Sequence, residues 1–163
     1  MKKVFSVLLA LGLAAGLGAE QAFAQGKKVE FSLNLGAMTD LGSEGSFSDV
    51  LFTFAPQVDI HITPAFMISP EVMLITDKHF SFDPLLFYTG VLLNYTAKGG
   101  FFVGAGVVLP VAFWDGEADT GDLLPKINLG YRGNHFNVTA YLLTDTHDLF
   151  KYNLIGLSAG YRF

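Results

Sequence analysis

The chain has 163 residues, enough for one domain and too few for two of ordinary size. Hydrophobic residues make up 51% of it and charged residues only 15%, and its formal net charge of −5 offers no basic surplus for nucleic acid. It contains no cysteine, which excludes disulfide bonds and a cysteine-linked lipid anchor. The apolar residues are spread in alternation and not gathered in long runs, which is typical of strands with one apolar face.

Residues 1–24 have the pattern of a secretory signal peptide. Lys2 and Lys3 form a positive start, residues 4–17 are apolar, and Ala22 and Ala24 supply the small residues that a signal peptidase reads. We expect residues 1–24 to be removed and residues 25–163 to form one domain. No other apolar run approaches the roughly 20 residues of a helical membrane span, so any membrane role must depend on strands.

Eight segments of the remaining chain alternate between apolar and polar or small residues. In the first segment Phe31 and Leu33 face one way, while Ser32 and Asn34 face the other. Several segments reach the roughly 9 to 11 residues that a tilted membrane strand needs. The predicted strands are Val29 to Ala37, Val50 to Ile62, Ala65 to Thr76, Leu85 to Ala97, Phe101 to Phe113, Asp122 to Arg132, His135 to Thr144 and Phe150 to Phe163.

The connections alternate in length. Three are short turns, at residues 63–64, 98–100 and 133–134, and we call their side the short-turn end. The others, at residues 38–49, 77–84, 114–121 and 145–149, are longer and define the loop end. Short turns on one side and long loops on the other are typical of outer-membrane barrels. The sequence therefore predicts an all-β, eight-stranded, antiparallel up-and-down transmembrane β-barrel with both termini at the short-turn end.

Closure into a ring follows from the solvent, because an unpaired backbone group in hydrocarbon costs several kcal/mol. Proline conflicts with this demand, since it cannot donate a hydrogen bond to a neighbouring strand. Pro70 lies near the middle of the third segment. We expect a bulge or a locally open ladder there.

Aromatic residues are concentrated towards both ends of the predicted strands, as in the two aromatic girdles of membrane barrels. Those beside the short turns are Phe66, Tyr95, Phe101, Tyr131, Phe136, Tyr161 and Phe163, and those near the long loops are Phe52, Phe87, Phe113 and Phe150.

The final residues Gly160-Tyr161-Arg162-Phe163 resemble the C-terminal sorting signal of bacterial outer-membrane β-barrels. This resemblance implies that Tyr161 and Phe163 are recognised by the barrel-assembly machinery. Residues 25–163 as a whole resemble the small barrel family that includes outer membrane protein X and the transmembrane domain of outer membrane protein A. The resemblance implies an outer-membrane protein with periplasmic termini, in contact with lipid and lipopolysaccharide, and with a structural, adhesive or surface-interaction role. We expect a monomer without a cofactor.

The strand phases also predict which charged residues face the lumen. The set consists of three acids and three bases: Glu30, Asp59, Glu71, Lys126, Arg132 and Arg162. An eight-stranded barrel is wide enough only for its own side chains, so we interpret these groups as a paired plug. Glu30 and Arg162 should meet where the first and last strands close, while Gln57, Asn128 and Tyr141 could complete the hydrogen bonding. The alternative is a narrow pore, with a proton or solute path along these charges.

The long loops are acidic. Their carboxylates are Asp40, Glu44, Asp49, Asp77, Asp83, Asp115, Glu117, Asp119, Asp145 and Asp148. Solvation is the simple interpretation of such a pattern. The sharper hypothesis is a Ca²⁺ site formed by Asp115, Glu117 and Asp119 near Asp122, although the run lacks the full spacing of a calcium loop.

A catalytic hypothesis depends on His79 and Ser81, whose spacing would place a base and a nucleophile on one strand face. Some eight-stranded outer-membrane barrels are lipid A deacylases or acyltransferases, and the deacylases add a Glu on an adjacent strand. Here the pair lies in a predicted loop, and Glu71 is predicted to point inward, away from it. His61 is expected in the lumen near Asp59. A lipid A-modifying enzyme therefore remains an alternative function, and a soluble lipocalin-like barrel, with its apolar face inside, is the rival fold.

Overall fold

The computed structural model describes residues 28–41, 50–80, 84–115, 117–145 and 153–163. The predicted signal peptide, residues 1–24, lies outside these ranges. In the described part of the chain no helix is long and apolar enough to cross a membrane. The described strands are β1 (Val29–Asp40), β2 (Leu51–His61), β3 (Phe66–Thr76), β4 (Leu85–Thr96), β5 (Phe101–Trp114), β6 (Glu117–Thr120), β7 (Leu124–Arg132), β8 (Phe136–Thr144) and β9 (Asn153–Arg162).

The strands close into a ring. From β1 to β5 and from β7 to β9 each strand pairs antiparallel with the next along the chain, β5 pairs with β7, and β1 pairs with β9. The short strand β6 pairs with the end of β5 and continues the line of β7. The molecule is therefore a closed eight-stranded antiparallel barrel, which confirms the predicted fold.

The predicted loop at residues 114–121 is wrong, because β6 occupies part of it. Val108 of β5 pairs with Leu124, whereas Val111 pairs with Thr120. Two residues of β5 thus face three residues, 121–123, which is the geometry of a β-bulge. Pro110 lies at this point, where a donor is lacking, and the Gly121 N–H donates to its carbonyl at 3.1 Å. The sixth predicted strand consequently starts at Leu124 and not at Asp122, and β5 and β6 form an extended hairpin.

The ladder between β2 and β3 is locally open, as predicted for Pro70. The register is constant from Phe52↔Thr76 to His61↔Met67. Pro56 and Pro70 are not paired with the residues opposite them, although Gln57↔Glu71 between them is paired. The Ile62 N–H donates to the Phe66 carbonyl, so the even-numbered residues of both strands direct their backbone groups into this ladder. Both prolines are even-numbered and each removes a donor from the same ladder. The structure therefore has an opening without a bulge.

Alternation places apolar side chains on the outside and polar side chains inside. Leu35, Leu129 and Leu157 are 60–62% exposed, whereas Asp59 and Asn94 are 0% exposed. This distribution is the reverse of that in a soluble protein. Near the loop end there is one departure, because Phe87, Val111 and Phe113 face outward by alternation yet form a buried cluster.

Aromatic rings form a band at the short-turn end. Successive rings lie 5.1–5.9 Å apart in the pairs Phe66–Tyr95, Phe101–Tyr131, Tyr131–Phe136 and Tyr161–Phe163. At the loop end Phe52 stacks on Phe80 at 5.7 Å and Phe87 stacks on Phe113 at 5.5 Å. Phe150 lies outside the described residues.

Candidate functional site

The six charged residues predicted to face the lumen all lie on its wall. Glu30, Asp59 and Glu71 belong to β1, β2 and β3, while Lys126 and Arg132 belong to β7 and Arg162 to β9. Their side chains are 1–12% exposed. Charges this deeply buried are tolerated only when they are paired.

Glu30 is the centre of an ion cluster at the short-turn end. Its carboxylate contacts the Arg162 guanidinium across the junction of β1 and β9. Lys28 Nζ lies 2.7 Å from Glu30 Oε1, and His61 Nε2 lies 2.9 Å from Glu30 Oε2. The sequence interpretation placed His61 near Asp59, but the structure places it against Glu30 because the antiparallel register brings His61 opposite Lys28.

Asp59 is the centre of a second cluster, further into the lumen. Arg132 Nη1 lies 3.0 Å from Asp59 Oδ2. Ser69 Oγ and Gln57 Nε2 donate to Asp59 Oδ1 at 2.6 and 2.7 Å. The Arg132 guanidinium also lies 5.2 Å from the centre of the Phe102 ring, a cation–π distance. The charge of this carboxylate is therefore neutralised by Arg132 at Oδ2, and its Oδ1 accepts two hydrogen bonds.

Glu71 and Lys126 form a third ion pair, near the middle of the barrel. The ammonium also lies 4.6 Å from the centre of the Tyr141 ring. Tyr141 in turn covers Gly156, its cross-strand partner, where a side chain would collide with the phenol ring. The three acids thus meet the three bases, and chemically the arrangement is a set of neutral ion pairs that fill space.

The loop-end half of the lumen is apolar, which the sequence interpretation missed. Met38, Met73, Val108 and Leu143 point inward there and are 0–2% exposed. The sequence does hold apolar residues at inward-facing positions of several strands, such as Leu86 and Leu124. They do not stand out, because strands such as β4 have apolar residues on both faces at the loop end.

Asp115, Glu117 and Asp119 lie on the β5–β6 hairpin and are exposed. Asp115 is in the turn, with a φ of 50°. Among the described residues no three potential His, Asp or Glu ligands lie close enough to hold a metal ion, and the Ca²⁺ site stays a hypothesis. The three side chains instead border an open groove with Trp114 and Pro84.

Of the proposed catalytic pair, His79 is described and Ser81 lies outside the described residues. His79 is exposed in the turn after β3, and its backbone N–H donates to Asp77 Oδ1 at 3.0 Å. Glu71 contacts Lys126 in the lumen and not His79. No described contact connects His79 to a second catalytic group.

Tyr161 and Phe163 lie at the end of β9, on the outer surface. They are 54% and 77% exposed, and their ring centres are 5.1 Å apart. The Phe163 N–H donates to the Phe31 carbonyl at 2.9 Å, which extends the β1–β9 ladder to the last residue. Both rings thus belong to the aromatic band.

Comparison with known proteins gives structural neighbours only. No protein-family model matches the chain, and no curated protein matches it significantly. Neisserial surface protein A is similar with a TM-score of 0.54 and 13% identity, covering 82% of this chain and 95% of that one. A de novo designed transmembrane β-barrel is similar with a TM-score of 0.50 and 8% identity, with the same coverage. The chain therefore has the fold of the small eight-stranded membrane β-barrels found in the bacterial outer membrane.

Proposed function

We propose that the chain is an integral outer-membrane β-barrel with a structural or surface-interaction role exercised at its loop end. The main support for this proposal is the distribution of polar and apolar side chains. Leucines with 60–62% exposure cover the outside, and ion pairs are buried inside. Placing a leucine side chain in an apolar environment is worth about 1.5–3 kcal/mol, so water is a poor solvent for this surface and acyl chains are a good one.

Charge supports an orientation with the loop end outward. The exposed cations Lys28 and Lys98 lie at the short-turn end, where they can reach lipid headgroups beside the aromatic band. Carboxylates dominate the loop end. In this orientation the short turns and the C-terminus are periplasmic, and the partners are lipid, lipopolysaccharide and, through Tyr161 and Phe163, the barrel-assembly machinery. A monomer suffices, because the closed ring pairs its own strands.

The β5–β6 hairpin supports a surface role. It extends beyond the bulge and exposes Trp114, at 72%, beside three carboxylates. Aromatic rings and charges on a projecting hairpin are suited to contacts with another molecule. The lumen, in contrast, is filled with paired and apolar side chains, which disfavours transport.

Fractionation and gel migration test the membrane placement. We expect the mature chain in the outer-membrane fraction, and we expect the unheated, detergent-extracted protein to migrate differently from the boiled protein, since a folded barrel resists unfolding. A soluble periplasmic protein with unchanged migration would contradict the proposal and favour the lipocalin-like alternative.

The enzymatic alternative has a separate test. The mass spectrum of lipid A from cells that express the chain should equal that from cells expressing His79→Ala. Loss of an acyl chain that depends on His79 would replace the surface role by lipid A modification.

A further inference from the structure

One face of the β5–β6 hairpin continues the inner wall of the barrel above its mouth. Ala112 pairs with Leu86 of β4, whose side chain packs against the apolar cluster of the lumen. Across the hairpin Ala112 is opposite Asp119, and Trp114 is opposite Glu117. Directly opposed residues of an antiparallel pair lie on the same face of a sheet. We call Ala112, Trp114, Glu117 and Asp119 the Trp114 face.

The Trp114 face lines an open groove. Together with Pro84 it borders a volume of about 660 Å³, within the range of roughly 300–1,000 Å³ that ligand sites occupy. The Trp114 side chain is 72% exposed, and the Glu117 and Asp119 carboxylates are exposed beside it. Tryptophan is among the residues that contribute most to protein–protein contacts. The groove therefore offers a partner a large apolar ring to cover.

The charge of this face is unbalanced. Among the described residues no basic side chain contacts Glu117 or Asp119, and Lys78 is the one lysine or arginine described at the loop end. An apolar partner would cover the two carboxylates without a counter-ion, and a second copy of the chain would bring like charges together. The complementary partner is positively charged.

The spacing of the carboxylates indicates the form of that partner. Glu117 and Asp119 are two residues apart on one strand, so their Cα atoms are separated by about 6.7 Å. Side chains two residues apart in an extended peptide have the same separation and point the same way. Arginine is the suitable cation, because its planar guanidinium both stacks on an indole ring and pairs with a carboxylate.

We infer that the Trp114 face binds an extended segment of a partner protein that carries two arginines separated by one residue. One guanidinium stacks on the Trp114 ring and pairs with Glu117, which is opposite Trp114 in the hairpin. The other passes over Ala112, whose small side chain leaves room, and pairs with Asp119. This inference names the partner chemistry for the proposed surface role and rests on that role.

Peptide titration of the full chain, folded in zwitterionic micelles, tests the inference. Trp114 is the chain's one tryptophan, so its fluorescence reports on this face. We expect acetyl-Gly-Arg-Thr-Arg-Gly-amide to change that fluorescence saturably. The control peptide acetyl-Gly-Arg-Arg-Thr-Gly-amide has the same composition, but its adjacent arginines point to opposite sides of an extended chain. It should bind about fivefold more weakly, since one guanidinium loses its contact.

A pair of variants separates recognition from general attraction. Glu117→Gln with Asp119→Asn keeps both shapes and the tryptophan, and should weaken binding about tenfold. The matched control, Asp40→Asn with Asp122→Asn, removes the same charge from exposed positions outside the groove. Its affinity should stay within about twofold of the wild type. Heat-modifiable migration shows that each variant is folded.

A folded wild type without saturable binding overturns the inference and leaves the surface role standing. Equal affinity for the two peptides, or equal losses in the variant and its control, also overturns it, because either result shows attraction to negative charge without recognition of spacing. Binding that EDTA abolishes overturns it in favour of a Ca²⁺-dependent contact. A chain that fractionates as a soluble periplasmic protein overturns the proposed function and the inference with it.

Discussion

At the scale of single residues, the stability of the lumen depends on pairing. The Lys126 side chain is 4% exposed and the Glu71 side chain 5% exposed, so neither charge can recover its hydration in the folded state. Burial of each charge is tolerated because the opposite charge lies beside it. Removal of one partner leaves an uncompensated buried charge. Exposed carboxylates such as Glu117 have no such dependence.

Glu71→Gln should therefore destabilise the barrel by about 3–5 kcal/mol, because it leaves the Lys126 ammonium buried without an anion. Urea unfolding in lipid vesicles, followed by gel migration, measures the change in unfolding free energy. The matched control is Glu117→Gln, which should leave stability unchanged. The double variant Glu71→Met with Lys126→Met should recover most of the loss, and a single variant as stable as the wild type would contradict the pairing.

Close packing inside the narrow ring gives a second residue-scale prediction. Gly156→Ala should destabilise the barrel by about 1–3 kcal/mol, because the added methyl group overlaps the Tyr141 ring. Gly121→Ala is the control, since its nearest neighbour would be Pro110 Cβ at 3.4 Å, an ordinary contact. Equal midpoints of urea unfolding for the two variants would refute this account of the lumen.

At the scale of elements, the prolines determine where the sheet is weakest. Pro56 and Pro70 both remove donors from the ladder between β2 and β3, whereas the donor missing at Pro110 falls in the bulge opposite residues 121–123. Pro125 lies one residue beyond the first pair of the β7–β8 ladder, Lys126↔Leu143, so little pairing is lost there. The β2–β3 junction should consequently open before its neighbours.

Hydrogen exchange of the folded protein in micelles tests this expectation. The amide protons of Val58 and Val72, which face the two prolines, should exchange faster than those of Ile60 and Leu74 in the same ladder. These two amides still donate to the proline carbonyls, but neither proline returns a hydrogen bond. One lost hydrogen bond is worth about 1 kcal/mol, so opening of these pairs, and with it exchange, should be about fivefold more frequent. Pro70→Val should slow exchange at Val58 towards the rate at Ile60. Equal protection of all four amides in the wild type would show that the ladder is closed.

At the scale of the whole molecule, ring closure and the reversed polarity act together. Closure satisfies the backbone groups, and the outward leucines and aromatic rings then match a bilayer. The two ends differ in charge, since exposed Lys98 lies on a short turn while the β5–β6 hairpin is acidic. We therefore expect the molecule to adopt one orientation in a membrane.

Labelling of intact cells with an amine reagent that cannot cross the outer membrane tests that orientation. Lys78, exposed at the loop end, should be modified, whereas Lys98, exposed at the short-turn end, should be modified only after the outer membrane is permeabilised. Mass spectrometry of tryptic peptides distinguishes the two sites. Preferential labelling of Lys98 in intact cells would reverse the proposed topology.

Strand alternation made most of the fold predictable from sequence. A period of two assigns every residue to a face, so Phe31 and Leu33 could be placed outside, and Glu30 and Asp59 inside, before any contact was known. The loop after β5 was mispredicted because Asp115, Glu117 and Asp119 look like solvated loop residues. Local composition does not show that β5 continues beyond its bulge and pairs with them.

The sequence by itself determined the class of the protein, because patterning and the spacing of turns leave a closed barrel as the arrangement that satisfies both the backbone and the apolar face. Only the tertiary structure decided the partners across the lumen. Strand register and shear decide that Arg132 meets Asp59 and that His61 lies against Glu30. They also bring the inward-facing apolar residues at the loop end together in one cluster. These fix distances between residues far apart in the chain, and no local pattern encodes them.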